Sequence, residues 1–275
     1  MPELPEVETV KRGLNRLAQG ICVKDVTVTW PAIVQIFDEL TDFRQAMRGQ
    51  TLQDVERRGK FLIFNWSDVI WVSHLRMEGK YLLPEHKEVV DKYTHVILEL
   101  EDGRDLRYRD VRKFGRIKCY PKQQKEAAIN ALHLGPEPQE VTGEELFNAF
   151  QLTKRAIKPC LLDQHIIAGI GNIYADEILW ESQIHPETLA ANLSEAQCVQ
   201  LAAAMATIIK RAIEKGGTTV RTYTNALGEN GHYQDELKVY GREGLPCARC
   251  HNTIEKIKVA QRGTHFCPYC QRIGE

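Results

Sequence analysis

No stretch of this sequence approaches the roughly 18 consecutive apolar residues that a membrane-spanning helix requires, and neither an internal repeat nor a low-complexity tract is present. A helical membrane protein and a solenoid are thereby excluded. Charge of one sign is also lacking, because 36 lysines and arginines face 37 aspartates and glutamates for a formal net charge of -1. A polyanion feels no general attraction to such a chain, so any nucleic-acid site has to be local. The opening residues, Met1-Pro2-Glu3-Leu4-Pro5-Glu6, hold neither a basic stretch nor an apolar segment. A secretory leader is not expected from them, and a reducing cytoplasm, nucleoid-associated, is the expected compartment. The eight cysteines then read as thiols or metal ligands, not disulfides.

What is present fits an α+β chain of two domains, since 275 residues can bury two ordinary cores without staples. Val7, Val10, Leu14 and Leu17 recur at helical spacing up to Gly20, predicting an amphipathic first helix. Short β-rich runs follow at Leu62 to Trp66, Val69 to His74 and His95 to Leu100, and Asp102-Gly103 predicts a two-residue hairpin into Leu106 to Val111. Residues 1–134 therefore read as a β-sandwich with flanking helices. Two prolines and a glycine make 135–140 a linker. Beyond it the period turns helical at Leu146 to Leu152, Ile157 to Ile167, Ile173 to Ser182 and Ser194 to Lys215, giving a helical domain over 141–240. Ser194 is the expected cap of the last helix and Gly216-Gly217 its stop, and the polar text from about 217 to 237 is a long loop of the functional kind.

The strongest signal lies in residues 241–275. Cys247-x2-Cys250 and Cys267-x2-Cys270, 16 residues apart, have the spacing of a four-thiolate zinc ribbon, and four protein ligands make the zinc structural. Between the pairs, Arg262-Gly263-Thr264-His265 reads as the hairpin turn and would hold Arg262 on a rigid tip. Such ribbons also serve as staples or protein contacts, and local charge does not decide between these uses. Cys22, Cys119, Cys160 and Cys198 are scattered and read as core thiols.

Nine basic residues against two acidic ones between Gly103 and Lys125 form the clearest polyanion footprint. Within it, Arg112 and Phe114 would point the same way on an extended segment, one to fill a base stack and one to wedge into it. A solvated strand face with a core phenylalanine is the plainer alternative. His74 and Met77, in Ser73 to Lys80, are open to the same two readings. At the amino terminus, removal of Met1 ahead of Pro2 would expose a secondary amine. An α-amino group titrates near 8, against about 10.4 for lysine, so it is nucleophilic more often at neutral pH. Glu3 beside it is a possible acid or base, and Glu3, Glu6 and Glu8 equally suit the first turn of a helix. Ala168-Gly169-Ile170-Gly171-Asn172 could bring backbone close to a phosphate, with Asn172 capping the next helix.

Met1 to Thr9, Ser73 to Gly79, Asp110 to Gly115, Gly169 to Tyr174 and the zinc pairs, in this order along the whole chain, resemble the bacterial formamidopyrimidine-DNA glycosylase family. The resemblance implies a helix-two-turn-helix domain before the zinc hairpin. It implies a monomeric enzyme that excises 8-oxoguanine and ring-opened purines from duplex DNA and cuts abasic sites by β,δ-elimination, with one structural zinc and neither nucleotide cofactor nor membrane. Pro2 would be the nucleophile, Glu3 the proton donor and Glu6 its support, with Glu78 also supporting. Lys60 and Arg262 would serve catalysis by holding DNA. His74, Asn172 and Arg262 resemble the phosphate clamps, and Met77, Arg112 and Phe114 the residues that fill and probe the stack. Arg109, Lys154 and Tyr240 are further expected DNA contacts. Thr218, Val220, Arg221, Thr222 and Tyr223 fall in the loop that would close over the everted base. Gln261 and Thr218 depart from glycine and serine frequent in the family. The sibling endonuclease VIII-like enzymes for oxidised pyrimidines, and a catalytically silent zinc protein, are the competing readings.

Overall fold

Glu3 is the N-cap of helix α1 (Leu4–Ala18) in the computed structural model, which describes residues 1–37, 40, 42–218 and 231–273. Pro5 lies in the first turn, where a missing N–H is harmless, and Val7, Val10, Leu14 and Ala18 are buried along one face. Strands β1 (Val23–Val28) and β2 (Val34–Ile36) follow, then the short helix α2 (Phe43–Met47). Next come β3 (Asp54–Arg58), β4 (Phe61–Asn65), β5 (Val69–His74), β6 (Lys80–Leu82), β7 (Thr94–Leu100), β8 (Asp105–Arg109), β9 (Arg116–Pro121) and helix α3 (Lys125–Asn130). The strands make a four-stranded sheet in the order β1-β7-β8-β6 and a five-stranded sheet in the order β2-β9-β5-β4-β3.

Aromatic side chains join the two sheets. Phe64 of β4 meets Tyr81 of β6 with ring centroids 4.9 Å apart, Tyr81 meets Tyr108 of β8 at 5.0 Å, and Ser73 of β5 shares a 2.7 Å hydrogen bond with the Tyr81 hydroxyl. Val7, Val10 and Leu14 of α1 belong to the same buried cluster as Phe64, Trp66, Trp71 and Leu98. The expected β-sandwich therefore forms, with α1 closing its core. Ile70 and Val72 of β5 face away from that cluster and pack with Ala128 of α3.

The chain divides into two compact units, Met1–His133 with Gly216–Gly231, and Leu134–Lys215 with His232–Glu275. In the second, Thr142 caps α4 (Gly143–Gln151) by accepting from the Glu145 N–H, and α5 (Ile157–Leu162) and α6 (Asn172–Glu181) follow. Ser194 caps α7 (Glu195–Glu214) as its sequence predicts, accepting from the Gln197 N–H at 3.3 Å. Strands β10 (Glu255–Val259) and β11 (Arg262–Phe266) form the terminal hairpin. Among the described residues no helix is long and apolar enough to cross a membrane.

Several local expectations fail for identifiable reasons. The β7–β8 connection spans four residues, 101–104, not two: the Leu100 N–H donates to Arg104 O at 2.9 Å and Gly103 adopts φ +88°. The helix expected to Ile167 stops at Leu162, because the Gln164 side chain takes over the next turn, donating to Ile170 O at 2.9 Å and accepting from Gly169 N at 2.9 Å. Within residues 135–140, Gly135 N donates to Gln164 O and Pro136 O accepts from Ala168 N, both at 2.9 Å. Within the long polar text, Tyr233–Glu236 forms a 3-10 turn.

Candidate active site

At the amino end Pro2 is buried beneath exposed Met1, and Glu3 and Glu6 are each 3% exposed. Glu6, three residues into the helix from Glu3, reaches back so that its Oε2 accepts the Glu3 N–H at 2.9 Å. Its Oε1 accepts both the N–H and the hydroxyl of Thr218, at 2.7 and 3.0 Å. One carboxylate thus ties the start of α1 to the start of the polar segment, and the Thr218 hydroxyl makes the contact a serine could make. Val220, Arg221, Thr222 and Tyr223 lie outside the described residues. Glu8 serves the scaffold: against the effect of burial, Arg57 and Lys11 hold its carboxyl below the usual range, and Arg57 Nε sits 2.9 Å away.

Lys60 is 5% exposed in the two-residue turn between β3 and β4, where Arg58 pairs with Phe61. His74, at the end of β5, accepts the Arg76 N–H on Nδ1 at 2.9 Å. Its proton is therefore assigned to Nε2. Burial, with the charges of Arg76 and Lys60, pushes its pKa down to about 3. At neutral pH His74 is an uncharged N–H donor.

Met77 and Phe114 are 41% and 49% exposed, and with Met1, Arg76 and Arg116 they line an open recess of about 370 Å³. Arg112 and Phe114 stand at a tip, as Asp110 to Gly115 suggests, though not on an extended segment. They stand on a tight turn organised by fully buried Asp110, whose carboxylate accepts from Arg112 N at 3.0 Å and Gly115 N at 2.7 Å. That turn stacks the Arg112 guanidinium on the Phe114 ring at 4.7 Å. His95 Nε2 secures Asp110 O at 2.8 Å, and Lys113, in the left-handed region, lies 3.9 Å over the Trp30 ring. A Cβ at Gly79 or Gly115 would fall 2.3 or 1.7 Å from the Tyr108 hydroxyl. Glu78 is exposed, and Arg109 is engaged by Asp91 at 2.6 Å and lies over the Tyr93 ring at 5.1 Å.

In the second unit the Sγ atoms of Cys247, Cys250, Cys267 and Cys270 all lie within 4.8 Å of one another. A tetrahedron of Zn–S bonds near 2.3 Å has edges of about 3.8 Å, and Cys250–Cys267 at 3.4 Å and Cys247–Cys270 at 4.0 Å bracket that value. These residues fit one structural zinc. Cys119, Cys160 and Cys198 are buried thiols and Cys22 is half-buried. The hairpin turn is Ala260-Gln261, not 262–265: both residues have positive φ, 44° and 65°, and Arg262 already pairs with Val259 as the first residue of β11. Two successive left-handed residues are what a two-residue hairpin demands, and Gln261 meets that demand without being glycine.

Asn172 does not cap α6. Gly171 occupies that position, and the Asn172 Nδ2 donates to Gly263 O at 2.9 Å, beside exposed Arg262. The sequence reading missed what fixes this corner. Fully buried Lys158 donates to Asp176 Oδ1 at 2.6 Å, Thr264 Oγ1 at 2.8 Å and Gly263 O at 3.2 Å, while Asp176 Oδ2 accepts from His265 N at 2.9 Å. Glu177 accepts three backbone N–H groups, from Lys238, Val239 and Tyr240, at 2.8, 2.9 and 2.8 Å. The available signal was two adjacent acids inside an otherwise apolar helical run, Tyr174 to Trp180. Tyr240 packs on the His265 ring at 5.0 Å, and Lys154 is exposed after α4.

Comparison with known proteins covers every part of this architecture. The formamidopyrimidine-DNA glycosylase N-terminal domain matches residues 1–117, the H2TH domain of the same enzyme 134–224, and a zinc finger found in FPG and IleRS 244–273. Formamidopyrimidine-DNA glycosylase of Enterococcus faecalis is 50% identical over 282 residues, covering 99% of this chain and 98% of the relative. That of Lactiplantibacillus plantarum is 49% identical over 276 residues, covering 99% and 100%. Lactococcus lactis Fpg solved with DNA containing an abasic site superposes with a TM-score of 0.91 at 41% identity, covering 98% and 99% of the two chains. The same enzyme with DNA containing N7-benzyl-Fapy-dG gives 0.91 at 40% identity, covering 98% and 100%. With sandwich, helical domain and four-cysteine hairpin each matched, and relatives half identical along nearly the full length, the chain belongs to the formamidopyrimidine-DNA glycosylase family.

Proposed function

We propose that this chain is a bifunctional DNA glycosylase and AP lyase that removes 8-oxoguanine and formamidopyrimidines from duplex DNA. Removal of Met1 exposes the secondary amine of Pro2. That amine attacks C1′ of the everted nucleotide as the N-glycosyl bond breaks and the base leaves; the C1′–O4′ bond then opens, O4′ taking a proton from Glu3, and the resulting iminium is the electron sink for loss of the 3′ and then the 5′ phosphate. Glu3 carries the proton, and Glu6 holds the Glu3 backbone and Thr218 around it. Lys60 and neutral His74 contact the DNA backbone in the first unit. Asn172 and Arg262, with Lys154 and Tyr240, contact it in the second. Met77, Arg112 and Phe114 fill and probe the stack, with Arg109 and Glu78 as neighbours. The loop residues Thr218 and Val220 to Tyr223 read the base. The zinc site supports the hairpin and takes no chemical part.

The observation that carries the reading is the recess shared by Met1, Met77 and Phe114, where the amino end borders two exposed apolar side chains and two arginines. Borohydride trapping on a duplex containing 8-oxoguanine is the test. A covalent complex is expected from the parent chain and a collapsed yield from Glu3→Gln, with Pro2→Gly run alongside; an adduct mapped to an interior lysine overturns the mechanism. A second substrate class is favoured by one neighbour, since Lactococcus lactis Fpg was also solved with DNA containing an oxidised pyrimidine. Excision of an oxidised pyrimidine in preference to 8-oxoguanine would reverse the assignment. The chain acts as a monomer in the cytoplasm in this reading.

A further inference from the structure

Helix α6 grips the zinc hairpin along one stripe. Asn172, Asp176 and Trp180 are spaced four apart, so they stand one above another on a single face. Asn172 bonds Gly263 O at 2.9 Å and Asp176 bonds His265 N at 2.9 Å. At the far end, the Trp180 indole Nε1–H donates to Cys247 Sγ at 3.3 Å. Trp180 is only 6% exposed and shares a buried cluster with Val239, Ile254, Cys247 and Cys267. Arg249, inside the first cysteine pair, covers the indole at 4.2 Å and donates to Trp180 O at 3.0 Å. Its own backbone N–H points at the same sulfur, at 3.4 Å.

From this geometry we infer that Trp180 is a positioning residue for the zinc site: its indole N–H stabilises the Cys247 thiolate, slows loss of the metal, and fixes the C-terminal end of α6 to the hairpin. A thiolate bound to zinc keeps excess negative charge on sulfur, and N–H donors aimed at it hold that charge in place. Among the donors aimed at Cys247, the Arg249 N–H is local backbone, whereas the Trp180 indole comes from a different element of the fold. The other half of the clamp is Arg249, which gains a ring face and a carbonyl from the same tryptophan.

The inference rests on the four-thiolate zinc site and not on the glycosylase reading, so it is tested without DNA. Zinc transfer to a chromophoric chelator is followed for the purified parent chain, Trp180→Phe and Arg249→Ala, with circular dichroism reporting fold. Trp180→Phe keeps an aromatic ring and deletes the N–H, and release about tenfold faster at unchanged helix content is expected. Arg249→Ala keeps the indole donor, so its release is expected to change less. For an independent readout, cadmium replaces zinc in the parent chain and a proton–cadmium correlation is recorded. A cross-peak to one indole proton, missing in Trp180→Phe, supports the bond. Its absence from the folded, cadmium-loaded parent overturns the inference, as does equal release from the parent chain and Trp180→Phe. A parent chain that carries no zinc at all overturns the metal site itself.

Discussion

The amino-terminal site and the zinc hairpin solve one problem, holding a few polar side chains still, by opposite means. Around Glu3 the work is done by a large sandwich core in which Phe64, Trp66, Trp71 and Tyr81 are buried, and one carboxylate, Glu6, makes the final adjustment. The hairpin β10–β11 is too small for a core of its own. It is set by a metal and by a buried ion pair, Lys158–Asp176 at 2.6 Å. A region backed by hydrophobic packing tolerates the loss of one polar contact, whereas one built on charges and metal fails when a single member is removed.

Metal removal should therefore have the largest effect. Structural zinc is worth on the order of 10 kcal/mol in small domains, so a chelator is expected to abolish DNA binding by gel shift while most helical circular dichroism persists; equal loss of both would make the zinc a staple for the whole unit. Next is Lys158→Ala, which leaves the Asp176 carboxylate buried without its cation. A loss of about 3–5 kcal/mol in chemical denaturation is expected, against little change for Lys154→Ala, whose side chain is exposed. Glu6→Gln should cost about 1–3 kcal/mol, because one amide end can still accept while the other presents N–H to a donor. Trapping yield should fall with it, and an unchanged yield would detach Glu6 from the reaction.

The last effect is on pH dependence. The pKa of His74 is pushed from 6.5 to about 3 in the fold, so between those values the unfolded chain binds more protons. Stability from this group is present above pH 6.5 and is lost as pH falls towards 3. His74→Gln is expected to flatten that part of the stability curve. An unaltered slope would mean that His74 is not held neutral.

Much of this was legible in the residues. Hydrophobic period separated sandwich from helices, Ser194 announced its helix, and the two cysteine pairs announced their metal. Failures cluster where a side chain overrides local propensity. Asp110 ends the strand text of Leu106 to Val111 early by accepting two backbone N–H groups, and Gln164 ends α5 early in the same manner. Ala260-Gln261 holds no glycine, so Arg262-Gly263, one step along, carries the turn signal in the sequence although the positive φ angles lie at 260 and 261. The Lys158–Asp176 pair was hidden because its members are 18 residues apart and each is unremarkable in its own neighbourhood.

Gly79 and Gly115 press on the same Tyr108 hydroxyl from two loops, one bearing Met77 and the other Phe114. Those loops share a foundation, so a methyl group added beneath either one disturbs the seat of both. Double substitutions that combine one change from each loop should depart from the sum of the single effects, and a kinetic penalty measured at Met77 already contains part of what Phe114 does.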